Sequence, residues 1–101
     1  MKRPDTFKFG ILKYRIKWRK HVRAKDGSYL GGWHKQYKAL IIVNDEANDE
    51  YKKLVLMHEI VHAMTMGYGM TLKENQVDGI AQGMIEALRR NEWMGRYWNE
   101  D

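Results

Sequence analysis

Cysteine is absent from this sequence of 101 residues. Its absence excludes a disulfide scaffold, a thiolate zinc finger, an iron–sulfur cluster and a cysteine nucleophile. Long apolar runs are also missing. None approaches the ~18 residues of a membrane span, and the basic N-terminus lacks the apolar stretch of a signal peptide. We therefore expect a cytoplasmic protein with no membrane partner, and the length predicts a single domain over 1–101.

Acidic residues are scarce in the first quarter of the chain. Residues 1–25 hold ten Lys or Arg and one acid, Asp5, so their formal charge is +9, whereas that of the remainder is −4. A basic block of this kind indicates either an anionic partner such as nucleic acid or a solvated strand face. Composition alone leaves both interpretations open.

A strand is predicted inside the basic block because apolar and basic residues alternate there over eight positions. A second strand region, about 33–43, follows two glycines and ends in the apolar run 39–43. Together these segments predict a short antiparallel sheet of two or three strands over about 7–43. The alternating residues are Leu12, Tyr14, Ile16 and Trp18 on the inner face, with Lys13, Arg15, Lys17 and Arg19 on the outer face.

The second half of the chain has the pattern of two long helices, so the predicted fold class is α+β. Apolar residues at helical spacing predict a first helix over about 48–66 with Asn48 as its N-cap. A second helix is predicted over about 71–91 with Thr71 as its N-cap. The tail over 92–101 is polar apart from three aromatic residues, Trp93, Tyr97 and Trp98.

A metal-binding motif lies in the first predicted helix, where His58, Glu59 and His62 fit the pattern H-E-x-x-H. Histidines four residues apart project from one face of a helix, so both rings can meet one ion. The glutamate after the first histidine is placed to take a proton from a metal-bound water. Two imidazoles, one carboxylate and a water make a catalytic zinc site, so we expect one Zn²⁺ per chain.

A third protein ligand must come from elsewhere in the chain. The metzincin extension needs Gly and His three and six residues after the second motif histidine, but Thr65 and Tyr68 occupy those positions. No histidine follows His62, so a downstream ligand must be a carboxylate. Glu74 is the preferred ligand, with Asp78 accepting the outer N–H of a ligand histidine, although Asp78 as the ligand itself stays open.

Two further observations bear on this choice. Thr71 and Glu74 match a capping box, in which the Glu74 carboxylate would bond to the Thr71 amide. Glu86 lies about three turns further along the same predicted helix and is a weaker candidate. The sequence therefore favours Glu74 as the ligand without excluding a purely structural use of it.

The region 40–91 resembles the ImmA/IrrE-like zinc peptidases, which are gluzincins, and is most similar to their very small relatives in bacteriophages and Gram-positive genomes. Residues 54–63 resemble the active-site helix of that family. A second helix of the small relatives reads approximately E-x-x-V-(E/D)-x-(L/I)-A-x-G-(L/M), and residues 74–84 read ENQVDGIAQGM. The resemblance implies a minimal zincin of bacterial or phage origin. Its implied zinc ligands are His58, His62 and Glu74, and its implied general base is Glu59.

The motif and the resemblance together predict a zinc metalloendopeptidase that acts on a protein or peptide substrate, with Glu59 as the base. A further donor to the developing oxyanion is expected from Tyr68, in the loop between the two helices, or from His34 in the strand region. The run 39–43 is expected to lend its edge to an extended peptide substrate.

Two other functions remain open on the sequence. One is a nucleic-acid-associated module, in which the basic strand face contacts phosphates and Trp18 or Trp33 stacks on bases. The other is a catalytically idle protein whose zinc only stabilises a small fold. The basic face in question consists of Lys13, Arg15, Lys17 and Arg19.

Overall fold

A computed structural model of the protein describes residues 3–27, 30–35 and 38–99, apart from the side chain of His34. Strands occupy the first half of the chain and helices the second, so the predicted α+β class is confirmed. The elements in chain order are β1 (Thr6–Phe9), β2 (Leu12–Arg19), β3 (Gly32–Lys35), β4 (Leu40–Asn44), α1 (Asp49–Gly67), α2 (Glu74–Arg90) and α3 (Trp93–Asn99).

The described strands form one mixed sheet in the order β1-β2-β4-β3. β1 and β2 are an antiparallel hairpin, β3 and β4 are a second antiparallel pair, and β2 runs parallel to β4. The sheet thus differs from the predicted two or three antiparallel strands, both in strand number and in the direction of its central pair. The predicted second strand splits into β3 and β4, and a parallel neighbour requires a crossover, which alternation along one strand does not reveal.

α1 packs on one face of the sheet, which we call the inner face. β2 alternates as predicted, since Tyr14 and Ile16 are buried and the basic residues around them are exposed. Burying a large apolar side chain contributes about 1.5–3 kcal/mol, so this layer is the main support of α1. Its buried members are Tyr14, Ile16, Ile41, Val43, Val55 and Ala63.

β4 is buried on both faces, as a strand between two neighbours and two layers must be. Its inner side meets α1, whereas Leu40 and Ile42 on its outer side contact Val22 and Leu30 of the connection between β2 and β3. Asn44 fixes this cover, because its buried side-chain amide donates to the Leu30 carbonyl at 2.8 Å and to the Val22 carbonyl at 3.3 Å.

α1 and α2 begin with different kinds of cap. Asn48 caps α1 as predicted, since its side chain accepts a hydrogen bond from a backbone N–H of the first turn at 2.9 Å. α2 begins at Glu74 with Lys73 as its N-cap, so the prediction of Thr71 as the cap is wrong. The reason is that the Gln76 side chain accepts from the Lys73 backbone N–H at 2.9 Å, which satisfies that amide and leaves the Glu74 carboxylate to other partners.

The predicted polar tail contains a third helix, α3, which carries an aromatic surface cluster. The ring centroids of Trp93 and Tyr97 are 6.1 Å apart, and those of Tyr97 and Trp98 are 5.1 Å apart. Their exposed fractions of 52%, 63% and 71% place these rings at the surface instead of in the core. Among the described residues, no helix combines the length and the apolar character needed to cross a bilayer.

Tyr14 carries a buried hydroxyl that has no hydrogen-bond partner among the residues the structure describes. Because an unsatisfied buried donor costs about 1–3 kcal/mol, we expect Tyr14→Phe to raise the free energy of unfolding by about 1 kcal/mol. Burial also raises the pKa of Tyr14 above its ordinary value of 10.0. The unfolded chain therefore ionises first as the pH rises, and the wild type loses stability that Tyr14→Phe keeps. Urea unfolding at neutral and alkaline pH measures both effects, and a less stable Tyr14→Phe at neutral pH would contradict them.

Candidate metal centre

The two motif histidines lie on one face of α1, one turn apart. The ring centroids of His58 and His62 are 4.8 Å apart, and their side chains are 15% and 18% exposed. Glu59 follows His58 but is buried, because it lies four residues from both Val55 and Ala63, which pack on the inner face of the sheet. The Glu59 side chain therefore lies on the side of α1 toward the sheet, and it lines the same cavity as His58.

The Glu74 carboxylate bridges the two histidines. Its Oε2 lies 2.9 Å from Nε2 of His58, and its Oε1 lies 2.8 Å from Nε2 of His62. α2 presents this carboxylate from its first residue, and an apolar cluster around Val61 and Val77 holds α2 against α1. The capping-box bond that competes for Glu74 in the sequence is not made.

Asp78 lies one turn after Glu74 and contacts the other ring nitrogen of His58, Nδ1. Its Oδ1 is 2.6 Å from Nδ1 of His58. A carboxylate only accepts hydrogen bonds, so the Asp78 contact favours a proton on Nδ1. A neutral ring protonated there would have the Nε2 lone pair available for a metal on the side of Glu74. This arrangement is the one expected when Glu74 is a metal ligand and Asp78 fixes the tautomer of a ligand histidine.

The Nε2 atoms of His58 and His62 and the carboxylate of Glu74 face one common space. Either ring protons or a metal cation must lie there, since two imidazole nitrogens and a carboxylate otherwise only face one another's lone pairs. The ligand atoms all lie within 4.8 Å of one another. Atoms bound about 2.0–2.2 Å from a tetrahedral zinc are about 3.3 Å apart, so only small shifts would complete the set. Two imidazoles and a carboxylate are a donor set of catalytic zinc sites, and these residues fit that ion.

His58 and Glu74 of the cluster line a cavity of about 300 Å³ between α1, α2 and the start of β3. Leu54 and Gln82 also line a larger cavity of about 600 Å³ further along the same helices, so the two cavities adjoin. In the larger cavity the Arg89 guanidinium lies 2.9 Å from Glu50 and, with Lys53, holds the pKa of that carboxyl below its ordinary value. The site residues in the wall of the smaller cavity are His58, Glu59, Glu74 and Asp78.

Among the strands that the structure describes, β3, and not β4, lies at the edge of the sheet next to this cavity. β4 lies between β2 and β3, so the prediction that the run 39–43 offers its edge to a substrate is wrong. The Gly31 carbonyl accepts from the Asn44 N–H at 2.6 Å. In an antiparallel pair, the next residue, Gly32, then has its N–H and C=O directed away from β4, and the backbone of His34 repeats this two residues later.

Gly32 allows β3 to approach α1 closely beside Glu59. A Cβ at this position would lie 2.5 Å from the Ile42 carbonyl oxygen, 2.8 Å from a Val55 methyl and 3.6 Å from Cγ of Glu59. Sequence reasoning does not connect Gly32 to the site. The signal that points to it is the glycine pair at 31–32 just before a strand, which is typical of close backbone approach.

Gly32→Ala is expected to destabilise the protein by about 1–3 kcal/mol, because β3 must move away from β4 or α1 to admit the methyl group. Urea unfolding measures this change. Gly83→Ala is the matched control, since nothing lies within 4 Å of a Cβ on this exposed face of α2. That variant should gain about 0.5–1 kcal/mol, as expected for glycine replaced inside a helix. Equal stabilities of the two variants would contradict the close approach.

The structure does not bring Tyr68 to the cluster. It is the C-cap of α1 and lies six residues beyond His62. Six residues are about one and two-thirds helical turns, so Tyr68 lies on a different side of the helix axis from His62. Its ring packs edge-on against Phe9 with centroids 5.3 Å apart, and 75% of it is exposed. The side chain of His34, the other expected oxyanion donor, lies outside the described residues.

No family model, no curated protein and no solved structure matches the chain. The resemblance of residues 40–91 to the ImmA/IrrE-like peptidases therefore stays a prediction. What bears on function is the geometry of the His58, His62 and Glu74 cluster, with Asp78 behind it and Glu59 beside it.

Proposed function

We propose that the protein is a zinc-dependent peptidase in which His58, His62 and Glu74 hold the metal and Glu59 moves the proton. The observation that supports this most directly is the Glu74 carboxylate, whose oxygens lie 2.9 and 2.8 Å from Nε2 of the two histidines. Histidines present for packing alone would not need a carboxylate from another helix at both Nε2 atoms. Nor would they need a second one, from Asp78, at 2.6 Å from Nδ1.

A zinc ion in this cluster would act as a Lewis acid, which polarises a carbonyl and lowers the pKa of a water molecule. Glu59 supplies the proton transfer. It accepts a proton from the water whose oxygen attacks the carbonyl carbon of the peptide bond, and it gives that proton to the amide nitrogen as the C–N bond breaks. The products are one new carboxyl terminus and one new amino terminus.

The free edge of β3 supplies a way to align the substrate. An extended peptide that pairs with the outward N–H and C=O of Gly32 runs along the cavity that contains Glu59 and His58. Main-chain pairing of this kind selects an extended, unfolded stretch of polypeptide and depends little on its side chains. The proposed substrate class is therefore an unfolded segment or loop of a protein.

The test combines metal content with peptide cleavage. Protein dialysed against zinc at neutral pH should retain about one zinc per chain and should release new amino termini from casein or from a library of random peptides. His62→Ala, purified in parallel, should retain neither the zinc nor the cleavage. A wild-type protein that retains no zinc under these conditions would refute the proposed metal site.

Zinc binding without cleavage would instead favour the catalytically idle alternative. In that case the free energy of unfolding should collapse on chelation, because the metal would serve only to hold α2 against α1. For the proposed peptidase, chelation should stop cleavage while the β1–β4 sheet and α1, which share their own apolar layer, stay folded. Circular dichroism with and without a chelator separates the two outcomes.

A further inference from the structure

A second surface lies on the side of the sheet opposite α1. The outward positions of β1 and β2 hold Thr6 and five cations, and no acidic or apolar residue. We call this surface the basic face. Its cations, all exposed, are Lys8, Lys13, Arg15, Lys17 and Arg19.

The cations of the basic face have no ion-pair partner among the residues that the structure describes. Lys8 even lies directly opposite Lys13 across the two strands, an arrangement of like charges that is unfavourable in a sheet. Six cations elsewhere are neutralised within the chain. Those ion pairs join Arg3 and Lys52 to Asp45, Arg23 to Glu46, Lys53 and Arg89 to Glu50, and Arg90 to Glu86.

We infer that the basic face binds the phosphate backbone of nucleic acid. Alternate residues of a strand are about 6.5–7 Å apart, so the four cations of β2 form a row about 20 Å long. Such a row matches a polymer with regularly repeated negative charges. A membrane surface fits less well, because membrane-binding faces combine cations with apolar side chains that insert, and the outward positions of β1 and β2 have none.

Recognition on this face involves phosphates and not bases. Trp18 points to the inner side, where its Nε1 donates to the Pro4 carbonyl at 3.0 Å and the Arg3 guanidinium lies 4.5 Å from its ring centre. Trp33 is half-buried against the cluster formed by Leu40 and Ile42. Neither ring is thus presented for stacking, contrary to the expectation from the sequence, and we expect little sequence preference.

Nucleic acid on the basic face leaves the metal cluster open, because α1 and its histidines lie on the other side of the sheet. Both sites can therefore be occupied in one molecule. Binding of nucleic acid is independent of the proposed peptidase activity, so Glu59→Gln should bind a duplex as the wild type does.

The test is the salt dependence of binding to a fluorescently labelled DNA duplex of random sequence, followed by anisotropy. If five phosphates are contacted, log K should fall against log salt concentration with a slope of about −4.5. The triple variant Lys13→Gln/Arg15→Gln/Lys17→Gln should reduce this slope by about 2.7 in magnitude while keeping its zinc. If the triple variant does not fold, the single variant Lys17→Gln should still reduce the slope by about 0.9.

A matched control removes the same charge from the helices. Lys53→Gln/Arg90→Gln/Arg96→Gln lowers the formal charge of +5 by the same three units but leaves the basic face intact, so its slope should equal that of the wild type. Three results would overturn the inference. One is the lack of duplex binding at about 50 mM salt, and another is an equal loss of slope in the control. The third is binding to poly-glutamate or to phosphatidylserine vesicles at least as tight as to the duplex.

Discussion

Glu59→Gln should abolish peptide cleavage while leaving zinc bound. The amide has almost the same shape as the carboxylate, so the buried position next to the histidines stays filled. It cannot accept the proton of an attacking water at neutral pH, and loss of a positioned general base lowers rates by about 10²–10⁴-fold. The measurement is kcat/KM for a cleaved peptide, with zinc content determined on the same sample.

Glu86→Gln provides the control for this substitution. Glu86 is an exposed carboxylate of α2 that pairs with Arg90 at 3.2 Å, so its replacement should leave both zinc and cleavage unchanged. This variant also tests whether Glu86 has any place in the metal site. Wild-type rates in Glu59→Gln would show that another group moves the proton and would remove Glu59 from the mechanism.

The second large effect is expected at Glu74. Glu74→Ala removes the carboxylate that faces both Nε2 atoms. Loss of a residue that only orients a ligand lowers metal affinity by at most ~100-fold, so Glu74→Ala should lower zinc affinity by more than that. Asp78→Asn should reduce zinc affinity by only about 10–100-fold, because it weakens the hold on Nδ1 of His58 and leaves all three ligands in place. Competition with a fluorescent zinc chelator measures both affinities.

The order of these two effects decides which carboxylate is the ligand. A larger loss in Asp78→Asn than in Glu74→Ala would assign the metal to Asp78, the alternative that the sequence leaves open. Far-UV circular dichroism of both zinc-free variants checks that α2 is still formed, since Glu74 is the first residue of that helix. A variant that keeps α2 but has lost its zinc then reports on coordination alone.

The sequence specifies the helical half of the molecule well, because its signals are local. Asn48 caps α1 through a contact within one turn, and the spacing of His58 and His62 places both rings on one face whatever surrounds them. Which of Glu74 and Asp78 is the metal ligand is harder to predict from the sequence. Both lie on the same face of α2, and their roles depend on how α2 is seated on α1 through Val61 and Val77.

The strand half is less predictable because its partners are distant in the chain. Alternation identifies β2 and its inner residues, yet it does not reveal that β4 runs parallel to β2 or that β3 takes the free edge. The position of Gly32 near Glu59 follows only from that topology. The start of α2 is wrong in the prediction for a different reason, since the Gln76 side chain accepts from the Lys73 backbone N–H, and Lys73 is then the N-cap instead of Thr71.

The parallel pairing of β2 with β4 also predicts an order of assembly. Arg15 meets Leu40 only after the intervening chain has closed, and contacts of such sequence separation form slowly. α1 rests on Ile41 and Val43 together with Tyr14 and Ile16, so its docking surface is complete only when both strands are in place. The β1–β2 hairpin, which bears the basic face, takes no part in the proposed hydrolysis. It nevertheless provides half of the surface on which α1, the helix with the two histidines, packs.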